Sequence, residues 1–474
     1  MLDKLLEKPH FHTAFVIALL VLAMIIPVIG IHVAGAVIFG VIAALCLVLF
    51  SDLTMFLAPT LLLSVFVTEC YNSYSTFIKF IPLAIPLAGA IIFHLVKYKV
   101  KIKPCKSLPS LIAVTIAVTL GGIGIISAKD YFSPKSLFYM FMLGAGMILL
   151  YLLFTARFNS ETGIRIAVIM YAVGVLASFM ICLFYIRNWE AFKSSYRFLG
   201  YQPSNNLSTF IMLAMPFPMF FARTRHIDIV ATLFMYACVV FSSSRAGLLM
   251  GSVEIVIIFI AYTFFFEKKI SKKIFYVALL IVGFCTFLKL LPHLTIKLSY
   301  RSLGSDVNTM TFGECIEILK KYFINPNESR IRAIKQGIED FKSNPLFGTG
   351  IGYTGNTHVY NPVSGAMNWY HLWSVQVFGG LGTVGVLAYG YQLISRVKIF
   401  IQNRSPLNMT LFLSYIGLWL MSQLNPGEFC PIPYAMMAVI YFAIMERKND
   451  GNTEAVSPAQ GLHMGRKKAK RDIR

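Results

Sequence analysis

Apolar residues recur along almost the whole chain in long runs, and short polar segments separate these runs. Runs of about 16–24 residues have the length that an α-helix needs to cross a hydrocarbon core. The pattern therefore predicts about fourteen transmembrane helices. They lie near residues 12–29, 31–50, 54–69, 78–97, 108–127, 136–155, 165–187, 206–222, 228–242, 246–266, 273–291, 368–394, 407–424 and 429–446.

One polar segment is much longer than the others and spans about residues 293–367, between the eleventh and twelfth predicted helices. Two parts of it have helical patterning, Glu314 to Phe323 and Ser329 to Lys342. Connections of this length are uncommon, and those that are not disordered usually carry a function. Because the segment is not low in complexity, we expect functional residues in it.

Composition agrees with a membrane protein, since 57% of the 474 residues are hydrophobic and the mean hydropathy is +0.69. A soluble core cannot bury that much apolar surface, whereas a bilayer accepts it. We expect an all-α polytopic membrane protein with about 12–14 transmembrane helices and one long, partly helical extracytoplasmic loop. The expected organisation is a cytoplasmic N-terminus at 1–10, membrane helices at 11–292, the extracytoplasmic, candidate catalytic loop at 293–367, the last membrane helices at 368–446, and a basic, disordered cytoplasmic tail at 447–474.

The net charge of +21 is distributed in a way that indicates topology rather than nucleic-acid binding. Lysine and arginine cluster in alternate short loops, which is the positive-inside pattern. This pattern places both termini in the cytoplasm and the long loop outside. The basic clusters are Lys97–Lys103, Arg157 with Arg165, Arg223 with Arg225, Lys268–Lys273 and Arg396–Arg404.

A lone arginine, Arg245, lies between two apolar segments in the sequence Ser-Ser-Ser-Arg-Ala-Gly. A cation deep in a bilayer costs on the order of 2–3 kcal/mol, so such a residue is a functional candidate. The preceding serines predict a hydroxyl-capped helix start, where an anion binds favourably.

The predicted helix from Ser329 to Lys342 carries an apolar stripe, formed by Ile331, Ile334, Ile338 and Phe341. At 100° per residue, Arg330 lies about 60° from the centre of this stripe and Arg332 about 140° away. Arg330 is therefore the better candidate to face a pocket, and Arg332 is expected to be solvated.

A glycine-rich turn follows this helix, from Pro345 to Gly355, and its last part spells GxGxxG. No strand precedes it and no helix starts on it, so we discard a dinucleotide site. The pattern favours a tight turn that docks the loop on the membrane helices.

His371 lies among Trp369, Tyr370 and Trp373, which fit an interfacial aromatic belt. It is either one more residue of that belt or a group that takes a proton, since histidine titrates near neutral pH. The glycines that follow, from Gly379 to Gly385, fit close helix packing.

Taken in order, these motifs resemble the O-antigen ligase and O-antigen polymerase superfamily of bacterial envelope glycosyltransferases. The resemblance covers about Arg197 to Leu387, and it departs from the family pattern at Leu372, often asparagine there, and at Ile334, often tryptophan. It rests on an asparagine-containing turn entering a helix (Tyr196 to Ser208), on Ser244-Arg245-Ala246-Gly247, on Arg330 with Pro345, Gly348 and Gly350, and on His371 with Gly382 and Gly385.

The resemblance implies a GT-C-like transferase that uses a polyprenyl-diphosphate-linked glycan at the outer face of the cytoplasmic membrane. It implies that Arg245 and Arg330 hold the donor diphosphate and that His371 serves the hydroxyl of a glycan, lipid or wall acceptor. Second candidate contacts for phosphate or glycan are Arg197, Arg301, Lys320, Lys321 and Arg332, although each is better explained as an ordinary solvated charge.

We expect neither a cofactor nor a metal. The outward segments lack a DxD pair, arginines can take over the role of a metal, and the eight cysteines show no ligand spacing. Polymerase and ligase remain open, because both use the same donor. The alternative from a different class is a transporter or flippase of polyprenyl-linked saccharides, which should carry internal repeats and charges near the membrane midplane.

Overall fold

The structure, a computed structural model, describes residues 8, 10–70, 80–99, 106–122, 134–158, 161–189, 201–242, 244–267, 269–299, 310–323, 329–351, 370, 372–425 and 427–447. Within these residues every regular element is helical and no strand forms, so the expected all-α class is confirmed. The helices are α1 Phe11–Ile29, α2 His32–Leu49, α3 Thr54–Cys70, α4 Ala84–Tyr98, α5 Leu108–Gly122, α6 Pro134–Leu143, α7 Ala145–Arg157, α8 Thr162–Arg187, α9 Tyr201–Ala214, α10 Pro216–Ala222, α11 Asp228–Phe241, α12 Arg245–Ala261, α13 Ile270–Ser299, α14 Phe312–Phe323, α15 Ser329–Ser343, α16 Trp373–Gln402, α17 Pro406–Ser422 and α18 Met436–Met445.

Six of the described helices are long and apolar enough to cross a membrane, as judged from length and composition: α1, α2, α8, α12 with its π-helical extension, α13 and α16. Shorter apolar helices occupy most of the other predicted spans. In α13 only 11% of the apolar window is buried, and side chains such as Ile274, Ile281 and Phe284 are exposed. An apolar outer surface of this extent is costly in water and favourable in lipid.

Helices α12 and α13 run antiparallel, which defines two ends of the bundle. Leu248, near the start of α12, packs against Phe287 in the second half of α13. At the other end of the same pair, the rings of Phe259 and Tyr276 lie 6.1 Å apart. The start of α12 and the end of α13 therefore share one end of the bundle, and the segment that joins α13 to α16 leaves from that end.

We call this the loop end, defined by residues 122, 245, 299 and 373. The opposite, basic end carries the termini of helices that border the basic clusters, such as Arg225 and Arg404. The hydroxyls of Tyr262 and Thr410 lie 2.7 Å apart at the basic end, where α12 finishes and α17 begins. This contact supports the same division of the two ends.

Two stretches that the sequence predicts as continuous helices are interrupted. In α16 the backbone at Gly382 is non-helical, with φ 65° and ψ −160°. The predicted helix 429–446 instead begins with a short 3-10 turn at Gly427–Phe429 and a π-helical turn at Pro431–Ala435, before α18. The second interruption packs against α16, where the rings of Tyr389 and Phe429 lie 5.6 Å apart. Non-helical backbone inside a membrane domain is tolerated only where protein or a cavity covers it.

The loop helices form where the sequence predicts them. Thr311 and Glu314 make a capping box at the start of α14, in which the Thr311 backbone N–H donates to Glu314 Oε2 at 2.7 Å and the Glu314 N–H donates to Thr311 Oγ1 at 3.3 Å. The Thr311 hydroxyl also donates to Glu314 Oε2, at 2.9 Å, and the two hydrogen bonds that Thr311 donates to the exposed Glu314 carboxyl hold its pKa below the ordinary value. Helix α15 spans Ser329–Ser343, within one residue of the predicted end.

Candidate functional site

Helix α12 begins with a hydroxyl cap, as the sequence predicts. Ser244 Oγ accepts a hydrogen bond from the Gly247 backbone N–H at 2.9 Å and donates to Asn205 Oδ1 at 2.7 Å. Arg245 is the first residue of the helix and is half-buried. Because the cap already satisfies the Gly247 amide, an anion at this helix start must depend on the guanidinium and the preceding amides.

Close packing between α9 and α12 fixes the start of α12. A Cβ added at Gly247 would lie 2.8 Å from Cβ of Ser208, so no larger residue fits without a shift. Ser208 Oγ also donates to Ser242 Oγ at 2.7 Å. Ser242, Ser244 and Asn205 are buried, so the cap belongs to the packed interior and holds Arg245 at the loop end.

The glycine-rich turn after α15 docks on the interruption of α16, and we call this contact the glycine dock. It comprises turn residues 345–351, the interruption at 379–384 and the end of α5 at 121–122. Backbone hydrogen bonds join the three parts: Thr349 N–H to Gly379 O at 3.0 Å, Gly350 N–H to Gly380 O at 2.9 Å, Ile351 N–H to Gly122 O at 2.9 Å, Thr383 N–H to Pro345 O at 2.8 Å and Val384 N–H to Leu346 O at 3.2 Å. The predicted docking of the turn on the membrane helices is thus confirmed.

Two glycines in the dock are required by conformation and by space. Gly348 has φ +71° and a Cβ there would lie 2.4 Å from the carbonyl carbon of Gly380. Gly382 has φ +65° and a Cβ would lie 2.5 Å from the carbonyl of Leu346. Left-handed backbone disfavours L side chains, and backbone atoms on both sides cannot give way as a flexible side chain would.

Helix α15 packs on α16 through a face that differs from the apolar stripe. The buried positions are Ala333, Gly337 and Asp340, about 110° from the centre of the stripe at 100° per residue, whereas Ile338 is 39% exposed. At Gly337 a Cβ would lie 2.2 Å from Val375, so the two helices approach closely there. The apolar stripe lies beside this contact, and the ring of its residue Phe341 is 5.6 Å from that of Phe378 in α16.

Asp340 is buried at this contact and is held by hydrogen bonds. The hydroxyl of Tyr370 donates to Asp340 Oδ2 at 2.5 Å, and the amide of Gln336 donates to Oδ1 at 2.8 Å. Burial raises the pKa of the Asp340 carboxyl above its ordinary value, and these two hydrogen bonds act in the opposite direction. The Tyr370 backbone N–H donates to Gln376 Oε1 at 3.0 Å.

The backbone after position 371 is anchored as well, because the Gln376 N–H donates to Leu372 O at 2.9 Å. His371 itself lies outside the described residues. Its neighbours Tyr370 and Leu372 are both tied to Gln376, and so to the start of α16.

The structure describes only some of the predicted site residues. Arg245 lies at the loop end, while Lys320 and Arg332 are exposed on α14 and α15. Arg330 and Lys321 belong to α15 and α14, but their side chains lie outside the described part of the chain. The remaining candidates outside it are Arg197, Arg301 and His371. The helical position of Arg330 lies between the apolar stripe and the buried face of α15, and Arg332 is on the exposed side.

Sequence reasoning missed a buried ion pair inside the helix bundle. Arg396 was interpreted as part of a basic loop cluster, but its guanidinium is buried in α16 and lies 2.5 Å from Glu428 Oε1. It also donates to the Tyr415 hydroxyl at 2.8 Å and lies over the rings of Tyr415 and Phe442. The interpretation as a loop charge is therefore wrong for this residue.

Glu254, in the middle of α12, was missed as well, although a lone glutamate within an apolar run was visible in the sequence. Its side chain is 1% exposed, and within the described residues neither carboxyl oxygen has a hydrogen-bond partner. Glu254 is thus an ionisable residue away from the helix ends, which is a feature that the transporter alternative predicts.

No protein-family model matches the chain, and a comparison with curated proteins gave no match.

Proposed function

We propose that this protein is a membrane glycosyltransferase of the O-antigen ligase or polymerase type, with a GT-C-like fold of about 12–14 spans. It transfers or polymerises glycan from a polyprenyl-diphosphate-linked donor, and its loop end faces the outside of the cytoplasmic membrane. The observation that carries the proposal is the position of Arg245, which a buried hydroxyl cap holds at the bundle end from which the long loop leaves.

The chemistry requires cations where the leaving diphosphate gains charge. Arginine suits this role because its planar guanidinium makes paired hydrogen bonds to phosphate oxygens. Arg245 supplies one such group, and Arg330 supplies the second from the first turn of α15. Fixed cations next to lipid act in a low-dielectric surrounding, which strengthens their effect on the transition state.

The acceptor side of the reaction is assigned to His371. As general base it takes the proton of an incoming sugar hydroxyl, and the oxygen then displaces the diphosphate with inversion at the anomeric carbon. A general base must be fixed in position and orientation relative to the hydroxyl that it deprotonates. The ties of Tyr370 and Leu372 to Gln376 support this role, because they anchor the chain on both sides of His371.

The orientation follows the charge pattern. Because lysine and arginine concentrate at the basic end, this end is assigned to the cytoplasm, together with both termini. The loop end, with Arg245 and the glycine dock, then faces outward.

The test is polymer formation or glycan transfer by purified protein given lipid-linked donor and acceptor. We expect the Arg245→Ala, Arg330→Ala and His371→Ala variants to lose activity at a normal protein level, whereas Arg404→Ala, an exposed arginine at the basic end, keeps it. Full activity of His371→Ala would refute the base, and full activity of both arginine variants would refute the donor site. Offering a further repeat unit or a different acceptor to the same protein distinguishes polymerase from ligase.

A transporter of polyprenyl-linked saccharides is the second candidate, and buried charge inside the bundle favours it. Glu254 and the Arg396–Glu428 pair lie within the packed helices, and such residues often mark transport or proton pathways. Transport needs two compartments and transfer does not. Product formation in detergent would therefore support the transferase, whereas lipid-linked sugar movement in vesicles without any new glycosidic bond would support the transporter.

A further inference from the structure

The glutamate in α12 lies at the closest contact between α12 and α17. A Cβ added at Gly417 of α17 would lie 2.2 Å from Glu254 Oε1, so the carboxyl lies directly against the α17 backbone. The side chain is 1% exposed, and within the described residues both oxygens lack a hydrogen-bond partner. An ionised carboxylate without a partner is strongly unfavourable in such a place, whereas the neutral acid is tolerated.

Among the described residues, the titratable group that lies within electrostatic reach of the Glu254 carboxyl is the Tyr441 hydroxyl on α18. Tyrosine is neutral at physiological pH, so this group brings no charge that would stabilise a carboxylate.

A row of hydroxyl groups leads from Glu254 toward the basic end along one face of α17. The first pair is Ser414 with Tyr441, whose oxygens are 3.0 Å apart, and the second is Thr410 with Tyr262, at 2.7 Å. Positions 417, 414 and 410 follow helical spacing, so the successive steps rise about 4.5 and 6 Å along the axis. These rises are measured along the helix axis, and a proton that moves between successive pairs needs a bridging water or a rotation of the hydroxyls.

Toward the loop end, the face of α12 that carries Glu254 is apolar, and the hydroxyl pair of Ser252 and Tyr236 lies on the opposite face of the helix. Gly251 packs against Val239, which a Cβ would meet at 2.8 Å, and next to Met212. The serine cap at Ser244 lies beyond this apolar contact. The row of hydroxyl groups therefore runs from Glu254 toward the basic end and not toward the loop end.

We propose that Glu254 is a proton-binding site inside the membrane domain, and that Ser414, Tyr441, Thr410 and Tyr262 connect it to the basic end. The ligand is a proton, and the carboxyl holds it as the neutral acid. The proposal does not depend on the proposed transferase activity.

Infrared difference spectroscopy of the whole protein in lipid vesicles tests the bound proton. The spectrum of the wild type minus that of Glu254→Gln should contain the carbonyl band of a protonated carboxylic acid at neutral pH, and the band should shift in D₂O. If the difference instead shows only carboxylate bands, Glu254 is ionised and the proposal fails.

Labelling with a lipid-soluble carbodiimide provides a second measurement. The acid adds across a C=N bond of the reagent, with the proton on one nitrogen and the carboxyl oxygen on the central carbon, and the adduct rearranges to a stable N-acylurea without a leaving group. We expect label on Glu254 and loss of that label in Glu254→Gln. Glu428 is an internal control, because it is equally buried but paired with Arg396, and we expect no label there. Equal labelling of both residues, or label on Glu428 alone, would overturn the assignment.

The one-sided connection is tested by the rate at which the acid band shifts in D₂O. The Ser414→Ala and Tyr441→Phe variants should slow this exchange, because each removes a hydroxyl from the row. Ser208→Ala, at the loop end, is the matched control and should leave the rate unchanged. Slowing by Ser208→Ala alone, or no slowing by either row variant, would overturn the proposed route.

Discussion

Replacing Gly348 by alanine tests whether the glycine dock depends on backbone conformation and on space. Gly348 has φ +71°, and left-handed backbone costs an L residue about 1–2 kcal/mol. The added Cβ would lie 2.4 Å from the carbonyl carbon of Gly380, so the turn must move away from α16. Such a movement breaks the hydrogen bonds from Thr349 and Gly350 to α16, each worth about 1 kcal/mol.

Together these effects should weaken the docked state by about 3–4 kcal/mol. The assay is amide hydrogen exchange followed by mass spectrometry on peptides that contain residues 345–351. Local opening sets the exchange rate of these amides, and about 1.4 kcal/mol corresponds to tenfold, so exchange should accelerate about 100- to 1000-fold. Peptides from α1 and α2, far along the chain, should exchange as in the wild type.

Gly390→Ala is the matched control. Gly390 lies in the same helix, α16, and a Cβ there meets nothing within 4 Å. Alanine is favoured over glycine in a helix interior, so this variant should be neutral or slightly stabilising. If Gly348→Ala left the exchange of the turn as slow as in Gly390→Ala, the dock would not depend on the close approach described here.

Three further predictions concern buried or capping charges. Arg396→Met should lower the free energy of unfolding by about 3–5 kcal/mol, because it leaves the buried Glu428 carboxylate without its partner. The double variant Arg396→Met with Glu428→Met should regain most of this stability, as thermal unfolding can measure. A double variant as unstable as the single one would contradict this. The pKa of Asp340 is raised on folding, so the contribution of this carboxyl to stability falls as pH rises through that pKa. The variant Tyr370→Phe removes a hydrogen bond that lowers the pKa of Asp340, so this pKa should rise further in the variant. Carboxyl NMR can measure the titration, and an unchanged titration would refute the prediction. The pKa of Glu314 is lowered on folding, so its capping contribution is present at neutral pH and is lost as pH falls through the folded pKa. The protection of the α14 amides, which is the exchange rate corrected for its intrinsic pH dependence, should fall there in the wild type and stay constant in Glu314→Gln; an equal fall in both would contradict this.

The helical architecture could be predicted because it depends on local pattern. Apolar run length placed most of the described membrane helices, although α13 and α16 both extend eight residues beyond their predicted ends at 291 and 394. Thr311 with Glu314 marks the start of α14 through short-range hydrogen bonds. The cap at Ser244 was likewise visible in sequence, since its partner amide is only three residues away.

The face of α15 and the break in α16 could not be predicted, because both depend on contacts between distant segments. Gly337 is buried only because Val375 approaches it, and nothing in the periodicity of α15 indicates that approach. Similarly, Gly382 leaves helical geometry because the turn at Leu346 takes its place beside α16. The partner of Arg396 lies in an interrupted segment that hydropathy treats as a plain helix.

The glycine dock also constrains how the chain is assembled during synthesis. Its turn pairs with Gly122, which is made early, and with Gly379 and Gly380, which are made after the turn itself. Until α16 has been inserted, the amides of Thr349 and Gly350 have no native partner and depend on water. The turn at residues 345–351 therefore reaches its final conformation only after the ribosome has passed α16. A nascent chain that ends before Trp373 lacks the backbone groups of α16 that bind this turn.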